Sequence, residues 1–245
     1  MNDVIKLLQS HRSVREFTDQ PISQEVLDEL IKCGQAAATS SFIQACTVIQ
    51  VEDTAMRHRL VELAGIQAYI ASAARFVVFC ADMNRHKIAC DMHDAEMLSG
   101  YTEQFITATV DCALFAQNVI TAAQSLGIEG VYIGGIRNSI QAVTELLELP
   151  HLVYPVFGMC LGYPAQNPEV KPRLPLSVIL KKDRYSDDND TNAISEYDSQ
   201  IREYYKTRTG GKKDSAWSEQ ISEMLVKEAR PHIKDYLKSR GYILK

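Results

Sequence analysis

Apolar residues recur at helical spacing near the start of the chain. Val4, Leu7 and Leu8 predict a short first helix. Ser23 has a side chain suited to an N-cap, and the apolar face from Val26 to Ile31 predicts a second helix behind it. The N-terminal forty residues are therefore expected to be mainly helical.

Residues 103–126 form the longest helical stretch, with few charges on any face. A helix that is apolar on nearly all sides is buried in a large core or at a subunit interface. This pattern predicts an interface helix and an obligate dimer.

Short apolar runs between the helical stretches predict strands. Residues 47–51 and 76–81 are rich in β-branched and aromatic side chains and are expected to be buried central strands. Residues 130–135 predict a strand that ends in a glycine pair, and residues 153–161 predict another apolar strand. Since the connections are too long for simple hairpins, helices should cover the sheet.

Two helical patterns flank these strands. Residues 56–64 predict one helix, and Gly65 to Tyr69 breaks it. Asn138 or Ser139 is expected to cap another helix, which runs through Leu147.

The C-terminal part reads as a polar loop followed by helices. Residues 181–192 are polar and acidic and predict an exposed linker or loop. Residues 192–205 and 215–240 predict two helices, which the basic loop at 208–213 separates.

Composition excludes several classes of function. The net charge is −5, which disfavours a general polyanion-binding surface and hence nucleic acid as a partner. The six cysteines form no C-x-x-C pair and are expected to be reduced, buried thiols in a cytoplasmic protein. No signal peptide and no apolar run of membrane-spanning length are expected, so we predict no membrane contact.

Sequence motifs give no support for several other kinds of site. The G-x-G-x-x-G and P-loop patterns are missing, and no G-x-S-x-G elbow accompanies the serines. His86, Cys90, Asp91, His93 and Asp94 include metal-binding residue types, but their spacing fits no closed zinc pattern. We predict a solvated loop there and no metal.

Two basic segments are candidates for binding a phosphate. His11, Arg12, Ser13 and Arg15 combine two guanidiniums, an imidazole and a hydroxyl, a mixture that can surround a phosphate monoester. A basic helix end is the equal alternative. The segment Lys171-Pro172-Arg173 presents two cations on the same side of a stiff backbone, although a solvated surface loop would explain it as well.

Two glycine-containing segments could approach a ligand. The strand end from Gly130 to Gly135 lets backbone amides come close to a flat ligand or a phosphate. The loop from Arg208 to Lys213 is flexible and cationic at both ends, so it could hold the 2′-phosphate of NADPH. A solvated loop between helices is the alternative.

Taken together, these segments resemble the nitroreductase family, specifically its oxygen-insensitive NADPH nitroreductase and NADPH:flavin oxidoreductase branch. The resemblance covers nearly the whole chain. It rests on His11-Arg12-Ser13-Val14-Arg15, Gly65-x-Gln67-Ala68-Tyr69, Gly130-Val131-Tyr132-Ile133-Gly134-Gly135-x-Arg137-Asn138, Gly158-x-Cys160-Leu161-Gly162, Asn167-Pro168-x-x-Lys171-Pro172-Arg173-Leu174-Pro175, Tyr204-Tyr205-x-x-Arg208 and Glu228-Ala229-Arg230-Pro231.

The resemblance implies an α+β fold with a central, mostly antiparallel sheet flanked by helices. It also implies a single FMN-binding domain over residues 1–245, with 192–245 as a C-terminal helical extension. The chain is expected to form an intertwined homodimer with two FMN sites at the subunit interface.

By the same resemblance, His11, Arg12, Ser13, Lys171 and Arg173 would hold the FMN phosphate and nearby ribityl oxygens. Arg15 would lie near the N1/C2=O pole of the ring, where a fixed cation stabilises the negative charge of the reduced flavin. The remaining expected contacts are Thr39, Ser40, Gln67, Tyr69, Tyr132, Ile133, Gly134 and Gly135. Arg208, Lys213 and Arg230 would bind NADPH.

The implied activity is reduction of nitroaromatics, quinones or free flavin by NADPH, through ping-pong two-electron hydride transfer at flavin N5. No side chain would act as a nucleophile. Two alternatives stay open: a flavin reductase whose main product is free reduced FMN, and a flavin carrier without turnover.

Overall fold

The computed structural model of the chain describes residues 2–245. These residues form two compact units, the first of residues 2–168 and Arg230–Lys245 and the second of Glu169–Ala229. The helices and strands are α1 (Asp3–Gln9), α2 (Gln24–Gln35), β1 (Cys46–Gln50), α3 (Thr54–Leu63), α4 (Tyr69–Ser72), β2 (Arg75–Asp82), α5 (Asn84–Asp91), α6 (Thr102–Ser125), β3 (Glu129–Ile133), α7 (Ile140–Leu146), β4 (Val153–Gly162), α8 (Leu176–Ile179), α9 (Asp190–Thr209), α10 (Trp217–Leu225) and α11 (Ile233–Ser239).

The first unit contains a four-stranded sheet in the order β1-β2-β4-β3. All three strand pairs are antiparallel. Because β2 and β4 lie in the middle, nearly every residue of both is buried. The predicted α+β fold with a mostly antiparallel sheet is confirmed.

Helices cover both faces of this sheet. Val77, Phe79 and Ala81 of β2 point to the face on which α2 and α6 pack. Phe76 and Val78 point to the other face, which α3, α4 and α7 cover. Because successive side chains of a strand point to opposite faces, β2 has to be apolar at every position to pack against helices on both sides.

The expectation that residues 47–51 form a central strand is wrong in position. The strand β1 lies at one edge of the sheet, and its five residues are only half-buried. An apolar run of five residues does not distinguish a central strand from an edge strand that leans on a helix.

The predicted solvated loop around residues 86–94 is partly wrong, since α5 covers residues 84–91. None of the residues of α5 is buried, so the helix has no apolar face that would reveal it in the sequence. Among the described residues, the structure brings together no group of three metal-ligating side chains.

The 24-residue helix α6 is long and apolar enough to cross a membrane by length and composition, which differs from the expectation that no such segment exists. One side of this helix belongs to the hydrophobic core of the first unit. Ala108, Cys112, Ala116 and Val119 face the sheet and are fully buried.

The remaining face of α6 is exposed in the single chain. Ile106, Val110 and Leu114 are 43–48% exposed at intervals of four residues. One stripe of the helix therefore stays apolar without a neighbour in this chain.

The prediction of one helix over residues 215–240 is wrong. The stretch contains α10 and α11, and residues 226–232 interrupt them. Arg230 has a φ of 50°, and Pro231 follows it. Since proline disfavours helical backbone at the residue that precedes it, α11 does not extend back through Arg230 to α10, which has already ended at Leu225.

The second unit is built around tyrosines. Tyr197, Tyr204 and Tyr205 of α9 are buried together with Ile201, and Trp217 at the start of α10 packs against them. Helix α9 starts two residues before the predicted position and runs four residues past its predicted end, where Gly210 closes it in a left-handed conformation.

Serine caps differ between the two helices for which they are predicted. Ser23 accepts a hydrogen bond from the backbone N–H of Val26 and caps α2 as expected. Neither Asn138 nor Ser139 caps α7 through its side chain, because a 3-10 turn at Gly134–Ser139 leads directly into that helix.

This contrast gives a matched test. Ser23→Ala removes a cap and is expected to lower the free energy of unfolding by about 1 kcal/mol. Ser139→Ala, at a helix start that has no serine cap, is expected to change it by less than about 0.5 kcal/mol. Urea denaturation followed by circular dichroism measures both. Equal losses would show that the Ser23 hydroxyl does not stabilise α2.

Candidate functional site

The basic segment at residues 11–15 is docked on the free edge of β3. The backbone N–H of Val14 donates to the carbonyl of Gly130 at 3.1 Å, and the Val14 side chain is fully buried. The side-chain oxygen of Gln166 accepts from the backbone N–H groups of Arg15 and Glu16 at 3.1 and 2.7 Å. The C-terminal end of the segment is therefore held in place through its backbone N–H groups.

A chain of polar side chains supports the start of this segment. The amide nitrogen of Gln124 lies 3.1 Å from Nδ1 of His11 and donates to Oε2 of Glu129 at 2.9 Å. Arg12 lies 3.9 Å from the other carboxylate oxygen of Glu129. Neither Gln124 nor Glu129 was predicted, since nothing in their spacing relates them to His11.

Arg12 has a buried donor without a partner in the described part of the chain. Its Nε is buried and has no hydrogen-bond partner within residues 2–245. Leaving a charged donor unpaired is costly, and an anion placed beside Arg12 would satisfy it.

The main chain of β3 is open beside this segment. The carbonyl of Gly130 points away from β4 and accepts from Val14. Gly130 and Leu161, which lie opposite each other in β3 and β4, are therefore a non-hydrogen-bonded pair. By the alternation of antiparallel pairs, Tyr132 also points its N–H and carbonyl to the free edge. The Ile133 side chain is buried, and by the same alternation its backbone N–H and carbonyl point to Gly158 of β4.

The side chains of Tyr132 and Ile133 lie on opposite faces of the sheet. Tyr132 packs edge-on against Phe157 with ring centroids 5.2 Å apart, within the cluster on the α6 face. Burial raises the pKa of Tyr132 to about 12. Its phenol therefore stays protonated at neutral pH.

Gln67 and Tyr69 form a short relay next to the glycine pair. The Tyr69 hydroxyl donates to Oε1 of Gln67 at 2.8 Å, and the Gln67 amide donates to the carbonyl of Ala64 at 2.9 Å. A methyl group on Gly135 would lie 2.3 Å from both the Ala64 carbonyl and the Gln67 nitrogen. Only glycine permits this close approach of the turn to Gln67.

Arg230 is tied to the same region. It donates to Oδ1 of Asn138 at 2.9 Å, and Asn138 donates to the Ala64 carbonyl at 3.3 Å. Burial, with a smaller effect from Arg230, lowers the pKa of Arg137. In this chain Arg230 therefore buttresses the turn around Gly65.

Thr39 and Ser40 lie elsewhere in the first unit. The Thr39 hydroxyl donates to the buried carboxylate of Asp111 at 2.6 Å and accepts from the Gln44 backbone at 2.9 Å. This places it beside β1, at the opposite edge of the sheet from β3, across three strand spacings of roughly 5 Å each. A single chain does not bring Thr39 together with the β3 edge.

In the second unit, two lysines share one tyrosine. Lys171 donates to the Tyr205 hydroxyl at 2.7 Å, and Nζ of Lys213 lies 3.8 Å from the centre of the Tyr205 ring. Burial opposes ionisation of Tyr205, but the hydrogen bond from Lys171 and the charges of both lysines together lower its pKa. Arg208 donates to the neighbouring Tyr204 hydroxyl at 2.9 Å.

The second unit thus gathers three of its four predicted binding cations, Lys171, Lys213 and Arg208, around two adjacent tyrosines. Arg173 is exposed, and its charge acts on the Tyr197 phenol. Such a cluster is suited to an anionic ligand.

The cysteines take no part in these arrangements. All six are free, and burial raises the pKa of Cys80, Cys112 and Cys160, which keeps these thiols unreactive. Contrary to the expectation that the cysteines are buried, Cys33 is exposed and Cys46 and Cys90 are only half-buried.

Comparison with known proteins adds to this geometry. A model described as the nitroreductase family matches residues 8–163, and one described as the nitroreductase family C-terminal domain matches residues 171–245. The oxygen-insensitive NADPH nitroreductase of Salmonella typhimurium is 46% identical over 242 residues, 99% of each chain.

Two solved structures are similar over the full length of both chains. Nitroreductase A from Vibrio parahaemolyticus is 42% identical with a TM-score of 0.92. The NADPH:FMN oxidoreductase from Vibrio harveyi, solved in complex with NAD+, is 41% identical with a TM-score of 0.91.

The lowered pKa of Tyr205 can be tested by spectroscopy. In an alkaline titration followed by tyrosinate absorbance, Tyr205 is expected to ionise below pH 10, the usual value for tyrosine. The Tyr205→Phe variant should lack this early step. Lys171→Met, which removes the donor and one charge, should move the step to higher pH. A titration that is the same in all three proteins would contradict the assignment.

Proposed function

The chain belongs to the nitroreductase family of oxidoreductases, and from this premise we propose that it is an FMN-dependent enzyme that oxidises NADPH and reduces small molecules. The observation that carries the proposal is the free edge of β3 beside the Arg12 segment and Gln67. One end of that edge offers cations, and the other offers backbone groups and an amide.

The phosphate end of FMN fits the residues at the start of the edge. Arg12 has a buried Nε without a partner in the described chain, and the His11 ring is held by Gln124. We propose that His11, Arg12 and Ser13 bind the phosphate. The same role for Lys171 and Arg173 stays a prediction, because these residues belong to the second unit.

The ring end fits the other part of the edge. The outward N–H and carbonyl of Tyr132, the backbone of Gly134 and Gly135 and the Gln67 amide together offer hydrogen bonds to the rim of a flat heterocycle. Tyr69 holds the Gln67 amide in one orientation. Gln67 can therefore present its second N–H to a ligand, while its oxygen, which accepts from Tyr69, keeps one further lone pair.

FMN, when bound, supplies the two-electron redox chemistry. The protein contributes binding, orientation and charge. Arg15 is exposed in the single chain and is assigned to stabilise the negative charge that reduction places on the flavin. This assignment separates Arg15 from Arg12, which serves the phosphate.

We also propose a homodimer. Thr39 and Ser40 lie at the opposite edge of the sheet from β3, so they can reach a ligand at that edge only from a second copy. The exposed stripe of Ile106, Val110 and Leu114 lies on the same helix as Asp111, which holds Thr39. Burying this stripe between two chains would stabilise the dimer by about 25 cal/mol for each Å² of apolar surface that is removed from water.

For NADPH, we propose binding by Arg208 and Lys213 in the second unit. Arg208 reaches out from the last turn of α9 and is exposed. Arg230 is the weaker candidate, because its guanidinium already donates to Asn138. The cytoplasm is the proposed location.

The proposal is tested by purifying the full-length protein and recording its spectrum. We expect a yellow protein whose released flavin is FMN, and rapid bleaching when NADPH is mixed with it in a stopped-flow instrument. Colourless protein that takes up no added FMN would refute the function. Bound flavin that NADPH leaves oxidised would instead indicate a carrier.

Arg208→Ala provides a sharper test of the NADPH assignment. Removing one charge-assisted contact to a phosphate is expected to raise the KM for NADPH about tenfold or more, while the FMN content stays unchanged. Lys206→Ala is the matched control, since Lys206 lies on the same helix but pairs with Asp214 at 3.2 Å. Loss of FMN together with NADPH affinity would contradict the separate roles.

A further inference from the structure

We call His11, Arg12 and Ser13, which are proposed to bind the phosphate, the anchor. Gln124 and Glu129 lie next to His11 and Arg12 of this anchor. Gln124 belongs to the last turn of α6, and Glu129 is the first residue of β3. We call these two side chains the brace. Through the brace, His11 and Arg12 are linked on the side that faces the protein, whereas a ligand would approach from the other side.

Glu129 decides which way the Gln124 amide points. The amide nitrogen donates to Oε2 of Glu129 at 2.9 Å. If the amide were turned by half a rotation, its oxygen would face the carboxylate, and two acceptors would repel each other. The carboxylate therefore keeps the amide nitrogen on the side of His11.

The orientation of the amide in turn sets the tautomer of His11. An amide nitrogen only donates, so Nδ1 of His11, 3.1 Å away, must accept. The proton of the ring then resides on Nε2. His11 thus offers an N–H donor on the side that the brace does not occupy.

Glu129 also acts on Arg12 by charge. Its carboxylate is 14% exposed and lies 3.9 Å from the guanidinium. A negative charge this close to the anchor attracts Arg12 and repels a phosphate dianion. The anchor is therefore weaker than its cations alone would make it.

We propose that Gln124 and Glu129 are positioning residues for the flavin phosphate. Gln124 fixes His11 as an Nε2–H donor, and Glu129 moderates the affinity of the anchor and so sets how readily FMN is exchanged. The proposal rests on the proposed function, since it takes the phosphate of FMN as the anion. It assigns opposite effects to the two members of the brace.

Binding of FMN and riboflavin to full-length protein freed of flavin tests this, because the two ligands share a ring and differ by the phosphate. Gln124→Leu is expected to weaken FMN binding about tenfold, the loss of one oriented hydrogen bond. Glu129→Gln, which keeps an acceptor for Gln124 but removes the charge, is expected to strengthen FMN binding about fivefold at low salt, and less at high salt. Riboflavin binding should not change in either variant.

A long-range 1H–15N spectrum of the histidine rings gives a readout independent of flavin. His11, identified by the signal that His11→Asn removes, should carry its proton on Nε2 in the wild type, and Gln124→Leu should shift it towards a mixture of tautomers. If Gln124→Leu does not fold, the wild-type spectrum and Glu129→Gln still decide.

Three results would overturn the inference: equal changes in FMN and riboflavin affinity, weaker FMN binding by Glu129→Gln, or an Nδ1 proton on His11 in the wild type. Failure of the wild type to bind either flavin would count against the proposed function instead, and the tautomer would still be measured.

Discussion

The hydrogen bond from Val14 to the carbonyl of Gly130 is the contact on which the candidate site depends. An edge strand exposes a row of unpaired backbone groups, and here the segment after α1 pairs with only one of them. This single pairing carries two guanidiniums to the sheet and leaves the next outward residue, Tyr132, open. Extending the pairing by two residues would have closed the edge.

The helix α6 connects the two edges of the sheet. Near its middle, Asp111 fixes Thr39 beside β1, and in its last turn Gln124 supports His11 beside β3. The buried carboxylate and the amide each hold a loop through hydrogen bonds, while the apolar face between them packs on β2. One rigid element therefore positions side chains at both edges, and its packing against the core limits how far either can move.

Much of this arrangement could be predicted from the chain. The Ser23 cap, the apolar runs and the long helix predicted the four strands in their order along the chain and most of the longer helices, and the motifs from His11 to Arg15 and from Gly130 to Gly135 marked the candidate site. Sequence could not place β1 at an edge, because apolar runs of equal length serve edge and central strands alike. It could not find Gln124 or Glu129 either, since their relation to His11 exists only after α6 packs beside β3. The break at Arg230 was visible as the dipeptide Arg230-Pro231, yet the helical pattern on both sides concealed it.

The orientation of β3 has a consequence for how the chain tolerates change. The outward-facing groups of this strand belong to the main chain of Gly130 and Tyr132, while Val131 and Ile133 turn their side chains into the core. Hydrogen bonding at this edge therefore depends on how the strands pair and not on which side chains β3 carries. Positions 131 and 133 are free to exchange one apolar residue for another over evolutionary time without loss of the edge. Gly130 and Gly135 have no such freedom, because a Cβ at either position would lie within 2.4 Å of a backbone carbonyl oxygen.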